Sequence, residues 1–426
     1  MKTLINDVRP PHIENTLYVG IDLALKTNHV VIVDSMGNQL SSFPANNDLA
    51  GAKSLREQIL LLVEQYKVTT VEIGMEATGL LWHHLHQFLL EEPILNKVCT
   101  VKVYTVNPVI IKGFKKSFKK LDKTDPIDAY IIAQRVRFGE LEPTPLIDSV
   151  YEPLKRLTRF RYHLVSQLIH EKQYFLAHLF LKYSSWQKEK PFSDACGVTA
   201  SEIITELDMD QLASMTIEEL VSHIITVSKN TVADPKKAAE LLKKIAASSY
   251  TVKTAMKEPL DVILTNTLEN VRYFSGKVSA VDTVIEKEFN RCPNTLKSIP
   301  GIGPVFAAGI TAEMGSATRF QSEKHVASLA GLTWRKNQSG ESSAEETPGN
   351  HGNPYLRYYL VEGANSVRTH DEDFRKYYQK KYNEVRLHQH KRALVLTARK
   401  LVRLCFTLLR ENRLYVPESV YLTRRK

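Results

Sequence analysis

Two short runs rich in β-branched residues each end in a carboxylate: Leu17-Tyr18-Val19-Gly20-Ile21-Asp22 and Thr69-Thr70-Val71-Glu72-Ile73-Gly74-Met75-Glu76. Runs of this length and composition are strands rather than helices. After the first come a second such run, His29 to Asp34, the turn Ser35-Met36-Gly37-Asn38 and a third strand, Gln39 to Phe43. Leu49 to Tyr66 and Leu80 to Leu90 carry apolar residues at helical spacing. Val101 to Val106 is a further strand, stopped by Asn107-Pro108, and the helical pattern resumes at Asp125. A hairpin-like start followed by alternating helices and strands predicts an α/β domain: a mixed sheet with helices packed on it.

The rest of the chain differs. Residues 146–290 contain almost no glycine, and Leu154 to Tyr183, Ala233 to Ile263 and Glu269 to Glu288 have helical periodicity with many charges. They predict a helical, partly coiled-coil-like region, within which Pro191 to Val227 reads as less regular. A third block opens with Ser298-Ile299-Pro300-Gly301-Ile302-Gly303-Pro304, passes through a polar loop, Arg335 to Asn353, and ends in a basic helix from about His388 to Arg410. The expected domains are 1–150 (catalytic, α/β), 151–290 (helical linker and oligomerisation) and 291–426 (mostly α).

Composition narrows the function classes. With 426 residues, 43% hydrophobic and 24% charged, the chain is neither disordered nor collagenous and is long enough to bury a core. A net charge of +10 favours nucleic acid or another anionic surface as partner. Cys99, Cys196, Cys292 and Cys405 are far apart in sequence, so reduced thiols are expected rather than a disulfide framework or a zinc site. No apolar run reaches a membrane span, and Met1 to Asn15, with Asp7, Arg9 and Glu14, does not read as a signal peptide. The expected location is cytoplasmic, at the nucleoid.

Four acids stand where elements begin or end: Asp22, Glu76, Asp125 and Asp128. In a ribonuclease H-like (RuvC-like) topology the first strand lies beside a later parallel strand, which would bring Asp22 and Glu76 to neighbouring strand ends. Asp125 and Asp128 share one face of a helix. Carboxylates that converge in this way can hold two Mg²⁺ ions, which polarise a phosphodiester and stabilise attacking and leaving oxygens. Asp125-Pro126-Ile127-Asp128 also reads as a helix start, with Asp125 as N-cap and Pro126 behind it. The order of all four acids along one plausible sheet favours the metal reading. An actin-like kinase would need a glycine-rich phosphate loop after Asp22, and Leu23 to His29 holds no glycine. Just before Asp125, Lys112, Lys115, Lys116, Lys119, Lys120 and Lys123 surround a single acid, Asp122. Such a run is either a solvated face or a guide for the phosphate backbone.

Pro300-Gly301-Ile302-Gly303, with Leu296 before it and Ala307-Ala308 after, is a helix-hairpin-helix pattern whose backbone N–H groups at Gly301 and Gly303 could cradle a phosphate. Its plainer reading is a glycine turn between packed helices. The polar loop holds Arg335, Lys336, Ser339, Ser342 and Ser343, and composition alone does not choose a nucleophile among the three serines. Arg357, in the helix begun by Asn353-Pro354, could hold a phosphate bidentately. His83, His84 and His86 read as surface or packing residues.

Tyr18 to Asp22, Met75-Glu76-Ala77-Thr78-Gly79 and Lys123 to Ala129 resemble the acidic motifs of bacterial insertion-sequence transposases of the family 110 type, which have a RuvC-like DEDD domain. Ile299 to Gly303, Leu329-Ala330-Gly331-Leu332-Thr333, Gln338-Ser339-Gly340 and Gly352 to Arg357 resemble that family's C-terminal transposase domain. The resemblance implies a DNA recombinase in which the acidic tetrad and a serine, Ser339 by motif position, form a composite site. It further implies a covalent phosphoserine intermediate, Mg²⁺, guidance by a bridge RNA, donor and target DNA as substrates, and assembly as a dimer or tetramer. A serine hydroxyl is a poor nucleophile until a base or a metal activates it, which the tetrad would supply. Two rivals use the same residues differently: a Holliday-junction resolvase-like nuclease that attacks with water, and a DNA-binding protein without catalysis.

Overall fold

A computed structural model describes residues 15–118, 124–146, 148, 150–292, 294–333 and 352–417, together with the backbone of 338–339 and 342–343. The chain divides into two units, Met1–Ile147 and Asp148–Lys426.

In the first unit, strands β1 (Thr16–Asp22), β2 (Thr27–Val33) and β3 (Gln39–Asn46) form an antiparallel meander. Helix α1 (Leu49–Tyr66), strand β4 (Thr70–Glu76), helices α2 (Trp82–Glu91) and α3 (Pro93–Val98) and strand β5 (Thr100–Val106) follow, then helices α4 (Pro108–Lys115) and α5 (Asp125–Arg137). The sheet order is β3-β2-β1-β4-β5, with β1, β4 and β5 parallel. This is the expected mixed sheet, with β1 beside β4.

Alternation along each strand sorts side chains onto two faces. Leu17, Val19, Ile21, Val71, Ile73 and Met75 pack with Leu55, Ile59 and Leu85 of α1 and α2. On the opposite face Val31 and Val33 pack with Ala129 and Ala133, and Tyr104 and Val106 with Ile131, Ile132 and Val136 of α5. Tyr18, Gly20 and Asp22 of β1, and Glu72, Gly74 and Glu76 of β4, belong to this α5 face by the same alternation.

Gly20 and Gly74 set how closely α5 lies on the sheet. They are register partners, and both lie under α5. A Cβ on Gly20 would fall 2.0 Å from the Ala129 carbonyl oxygen and 2.4 Å from the Ala133 nitrogen; one on Gly74 would fall 2.4 Å from a Val136 methyl. The helix backbone rests directly on the strand backbone, a contact any side chain at Gly20 would block.

The second unit is helical: α6 (Glu152–Lys182), α7 (Trp186–Glu189), α8 (Val198–Glu206), α9 (Met209–Ser214), α10 (Ile217–Ser228), α11 (Pro235–Ser248) and α12 (Thr254–Phe289), then α13 (Pro304–Met314) and α14 (Glu323–Leu329). The two-residue strands β6 (Gln338–Ser339) and β7 (Ser342–Ser343) precede α15 (Pro354–His370), α16 (Glu372–Asn383) and α17 (Gln389–Glu411). Helices α6 and α12 run antiparallel: Arg161 bonds Asp282 and, farther along α6, Lys182 bonds Asp261 at 2.7 Å. Each end of the pair enters its own core. Leu154, Ile285 and Phe289 pack with α13, α15 and α17, whereas Phe175, Leu179, Leu264 and Leu268 pack with α8, α10 and α11.

One local expectation is corrected. Residues 191–227, read as irregular, contain α8, α9 and α10. Reciprocal capping boxes start α9 (Asp208 with Gln211) and α10 (Thr216 with Glu219). The short helix that precedes the Pro300 turn is a single 3₁₀ turn, Thr295–Ser298. All four cysteines are free, and Cys99, Cys292 and Cys405 are buried. Among the described residues no helix is long and apolar enough to cross a membrane.

Candidate active site

Asp22 closes β1 and Glu76 closes β4, one step beyond Ile21 and Met75, the last residues that pair these two strands with each other. Because Gly20 and Gly74 admit α5 against the sheet, the first turn of that helix, which carries Asp125 and Asp128, arrives at the same strand ends. Thr124 is the N-cap of α5, with extended backbone and no side-chain capping bond, and Asp125 is the first helical residue. The N-cap role offered by the sequence therefore does not fall to Asp125, whose side chain is exposed.

The four carboxylates share one electrostatic neighbourhood. The Asp22 carboxyl is pushed up to about 6 by burial first, then by the negative charges of Asp128, Asp125 and Glu76, with Lys115 working the other way. Lys115, at the end of α4, forms an ion pair with Asp128. The Thr78 hydroxyl donates to Glu76 Oε1 at 3.1 Å. His29 is the register partner of Asp22 across β1 and β2. It contacts the Ser42 hydroxyl at 3.0 Å, and burial lowers its pKa against the opposing pull of Asp125.

Asp22 and Glu76 are fixed by strand termini, and Asp125 and Asp128 by a helix start seated on glycines. An all-oxygen, all-carboxylate donor set suits a hard divalent cation such as Mg²⁺. Among the described residues no three His, Cys, Asp or Glu side chains close around one point as a finished ligand shell, and the Lys115 ammonium offsets part of the negative charge.

The other residues singled out in the sequence fall elsewhere. Lys112 and Lys116 are exposed at the end of α4, and Lys115 is turned toward Asp128. Lys119, Lys120, Lys123, Arg335 and Lys336 lie outside the described residues. Gly301 has φ +89°, and a Cβ there would meet the Ser366 backbone at 3.0 Å, so this turn is pressed onto α15. Gly303 is the exposed N-cap of α13. Arg357 donates through Nε to the Ala330 carbonyl at 2.9 Å, tying α15 to the end of α14. The backbone of Ser339 pairs with Ser342, and that of Gln338 with Ser343. His86 is buried beneath Trp82, its Nε2 facing the Thr144 carbonyl at 3.3 Å, a packing role as expected.

Sequence reasoning missed Gly20, Gly74, His29 and the pairing of Lys115. The two glycines were visible as the same pattern, Gly-x-acid, at the end of two strands. His29 needed the hairpin register.

In the second unit Glu313 of α13 is fully buried. It accepts from Arg159 Nε at 2.6 Å and Nη2 at 2.9 Å, and from Asn353 Nδ2 at 2.6 Å. Asn353 in turn caps α15, accepting from Tyr355 and Leu356. Its own N–H donates to the Leu329 carbonyl at 2.6 Å. The two stems that flank residues 334–351 are thus joined to each other.

A family described as "Transposase", of the DEDD type, matches residues 19–183, and one described as "Transposase IS116/IS110/IS902 family" matches residues 294–379. The chain is 25% identical over 407 residues, 93% of its length and 96% of the relative's, to the pilin gene-inverting protein of Moraxella bovis. It is 24% identical over 412 residues, 94% and 96% of the two lengths, to the insertion element IS116 uncharacterized 44.8 kDa protein of Streptomyces clavuligerus. With both domains in order and full-length similarity to such proteins, the chain belongs to the IS110/IS116 family of transposases.

Proposed function

We propose that this protein is a DNA recombinase that moves or inverts a DNA segment by cutting and rejoining strands through phosphoryl transfer. The observation that carries the reading is the convergence of four carboxylates at the ends of β1 and β4 and the start of α5, where burial first, and then the charges of Asp128, Asp125 and Glu76, push the Asp22 carboxyl up to about 6. Mutual repulsion of this kind costs stability, and it persists where a cation or a transferring phosphate makes use of it. Family membership adds DNA as substrate.

Asp22, Glu76, Asp125 and Asp128 are the residues that would hold Mg²⁺, and when bound the metal would stabilise charge on the phosphodiester oxygens. Lys115 is placed to exchange Asp128 for a substrate phosphate once the carboxylate has another partner. Ser339 is the proposed nucleophile. Its hydroxyl oxygen bonds to phosphorus as a strand P–O bond breaks, and its proton passes to a carboxylate or water. The resulting phosphoserine conserves the bond for rejoining. A bridge RNA is the proposed guide to donor and target, read by base pairing, with the exposed Lys112 and Lys116 on phosphate backbone. The proposed assembly is a dimer or tetramer.

The test is covalent trapping. Purified protein, Mg²⁺, RNA transcribed from the flanks of the gene and labelled target DNA are mixed, denatured and separated on a gel, with Ser339→Ala alongside. The expected result is a protein–DNA adduct lost in the variant. Cleavage by both proteins with no adduct would transfer the reading to a water-using, resolvase-like nuclease. Unchanged activity in Asp22→Ala and Glu76→Ala would reduce it to DNA binding alone.

A further inference from the structure

We propose that the solvent face of α17 is a docking surface for the phosphate backbone of duplex DNA; this rests on the reading of DNA as substrate. Arg392, Arg399, Arg403 and Arg410 are separated by steps of seven, four and seven residues. At about 100° per residue these steps bring each arginine to within about 20° of the first. The four therefore form one straight row along the helix, about 27 Å from first to last at the usual rise. The buried residues of α17, among them Thr397, Leu401, Cys405 and Leu408, lie on the opposite side, where the apolar ones pack with α13 and α15.

The row keeps most of its charge. Among the described residues neither Arg399 nor Arg403 has an ion-pair partner. Arg410 donates to a neutral group, the Gln321 carbonyl at 3.2 Å, with its guanidinium over the Phe406 ring. Arg392 pairs with Glu384 at 3.0 Å, but Glu384 also holds Lys381 at 2.7 Å, so a phosphate can take Arg392 without stranding the acid. The one acid of α17, Glu411, bonds Arg413 at 2.6 Å. Lys400 is set apart from the row and tied to α16: its ammonium lies 4.6 Å from the Phe374 ring centre and donates to the Asp373 carbonyl at 3.4 Å.

Charge pattern and composition identify the occupant. A face that served solubility alone would mix signs. Helix α16 does so, pairing Lys376 with Glu372 one turn away at 2.8 Å. In α17 no acid occurs between Arg392 and Arg410. The planar fork of arginine matches phosphate oxygens bidentately. Single-strand binders also stack bases on exposed aromatic rings, whereas the one Phe, Tyr or Trp of α17, Phe406, is buried. A rigid row of cations without a stacking platform suits the regular backbone of a duplex, contacted without reading sequence. DNA is the duplex that the proposed function supplies.

The test measures binding of the full chain to two short DNA duplexes of unrelated sequence, and to an RNA duplex, by fluorescence anisotropy across a salt series. Arg399→Gln with Arg403→Gln is expected to reduce the slope of log binding constant against log salt by about 1.8 on both DNA duplexes. With affinities equal at about 1 M salt, this is about 60-fold weaker binding at about 0.1 M. Arg399→Lys with Arg403→Lys keeps both charges and should restore the slope. Arg291→Gln, which removes an exposed arginine of the same unit paired with Glu288, should leave it unchanged. A Gln pair whose melting midpoint also falls is replaced by Arg403→Gln alone, with an expected reduction of about 0.9. An unchanged slope, a fall confined to one DNA duplex, or an equal fall in Arg291→Gln overturns the α17 surface, while DNA binding by wild type leaves the DNA reading standing. A fall on the RNA duplex alone would reassign the row to RNA and overturn the proposal. Absence of DNA binding by wild type overturns both.

Discussion

Gly20 and Gly74 are paired directly across the β1–β4 ladder, and each stands two residues ahead of an acid of the site, Asp22 and Glu76. The period of a strand puts glycine and acid on the same face. Two absent side chains thus seat the helix, and the next two same-face positions meet its first turn. The spacing that makes the fold compact here is also the spacing that assembles the four carboxylates.

Gly20→Ala tests this directly. The new methyl group would meet backbone atoms of Ala129 and Ala133 rather than a flexible side chain, so α5 must lift. A loss of about 2–3 kcal/mol is expected from overpacking, read as a lower urea midpoint. Gly113→Ala, where nothing lies within 4 Å of the added carbon, should be neutral or stabilising by about 0.5 kcal/mol.

Asp22→Asn should stabilise the protein while removing its activity. In the folded state the carboxyl titrates near 6, against an ordinary 3.8. The folded protein therefore binds this proton more tightly than the unfolded chain does, and stability falls as pH rises from about 4 through 6. The penalty is fully present at pH 7, at about 1 kcal/mol once solvent screening of a half-buried carboxylate is allowed for. Melting curves of wild type and variant should differ by that amount at neutral pH and converge near pH 4. A variant that is less stable at pH 7 would contradict the charge crowding.

Glu313→Ala leaves Arg159 without its bidentate partner and Asn353 without its acceptor. Removing one member of a buried ion pair costs about 3–5 kcal/mol, and the loss should appear as a lower thermal midpoint. In the double variant with Arg159→Ala the two losses should be strongly non-additive, because the residues share one contact.

Lys112→Ala with Lys116→Ala should weaken DNA binding and reduce the salt dependence of the binding constant by about 1.8 in slope, if each neutralises one phosphate. An unchanged slope would return the lysine run to a solvated face. Lys115→Ala should instead raise the Asp22 pKa further, because Lys115 lowers it now; the carboxyl ¹³C shift of Asp22 against pH would show the move.

The sheet was legible because its signals are local. Strand lengths, the Asn107-Pro108 stop and helical spacing between strands are all readable residue by residue, and the parallel partner of β1 followed from their order. The convergence of Asp22, Glu76, Asp125 and Asp128 was legible only as order along the chain. What brings them together is a helix-on-sheet contact at Gly20, and an absent side chain leaves little trace in a hydropathy pattern. His29 was hidden for a related reason: its nearness to Asp22 depends on hairpin register. Residues 191–227 were misread because short helices carry too few turns to show a period, although Thr216 and Glu219 spelled out a helix start. Asp125 shows the limit of capping rules, since Thr124 takes the N-cap place without using its hydroxyl.

The antiparallel pair of α6 and α12 constrains how this protein can change length. Helix α6 has 31 residues, about 46 Å at the usual rise, and its two ends belong to different cores. Adding residues to α6 alone would rotate one core against the other by about 100° per residue and break the Arg161–Asp282 and Lys182–Asp261 ties. Only matched insertions in both helices, in near-whole turns, preserve the phase. The pair therefore acts as a gauge block whose length is variable in discrete steps, while each core keeps its own freedom to diversify.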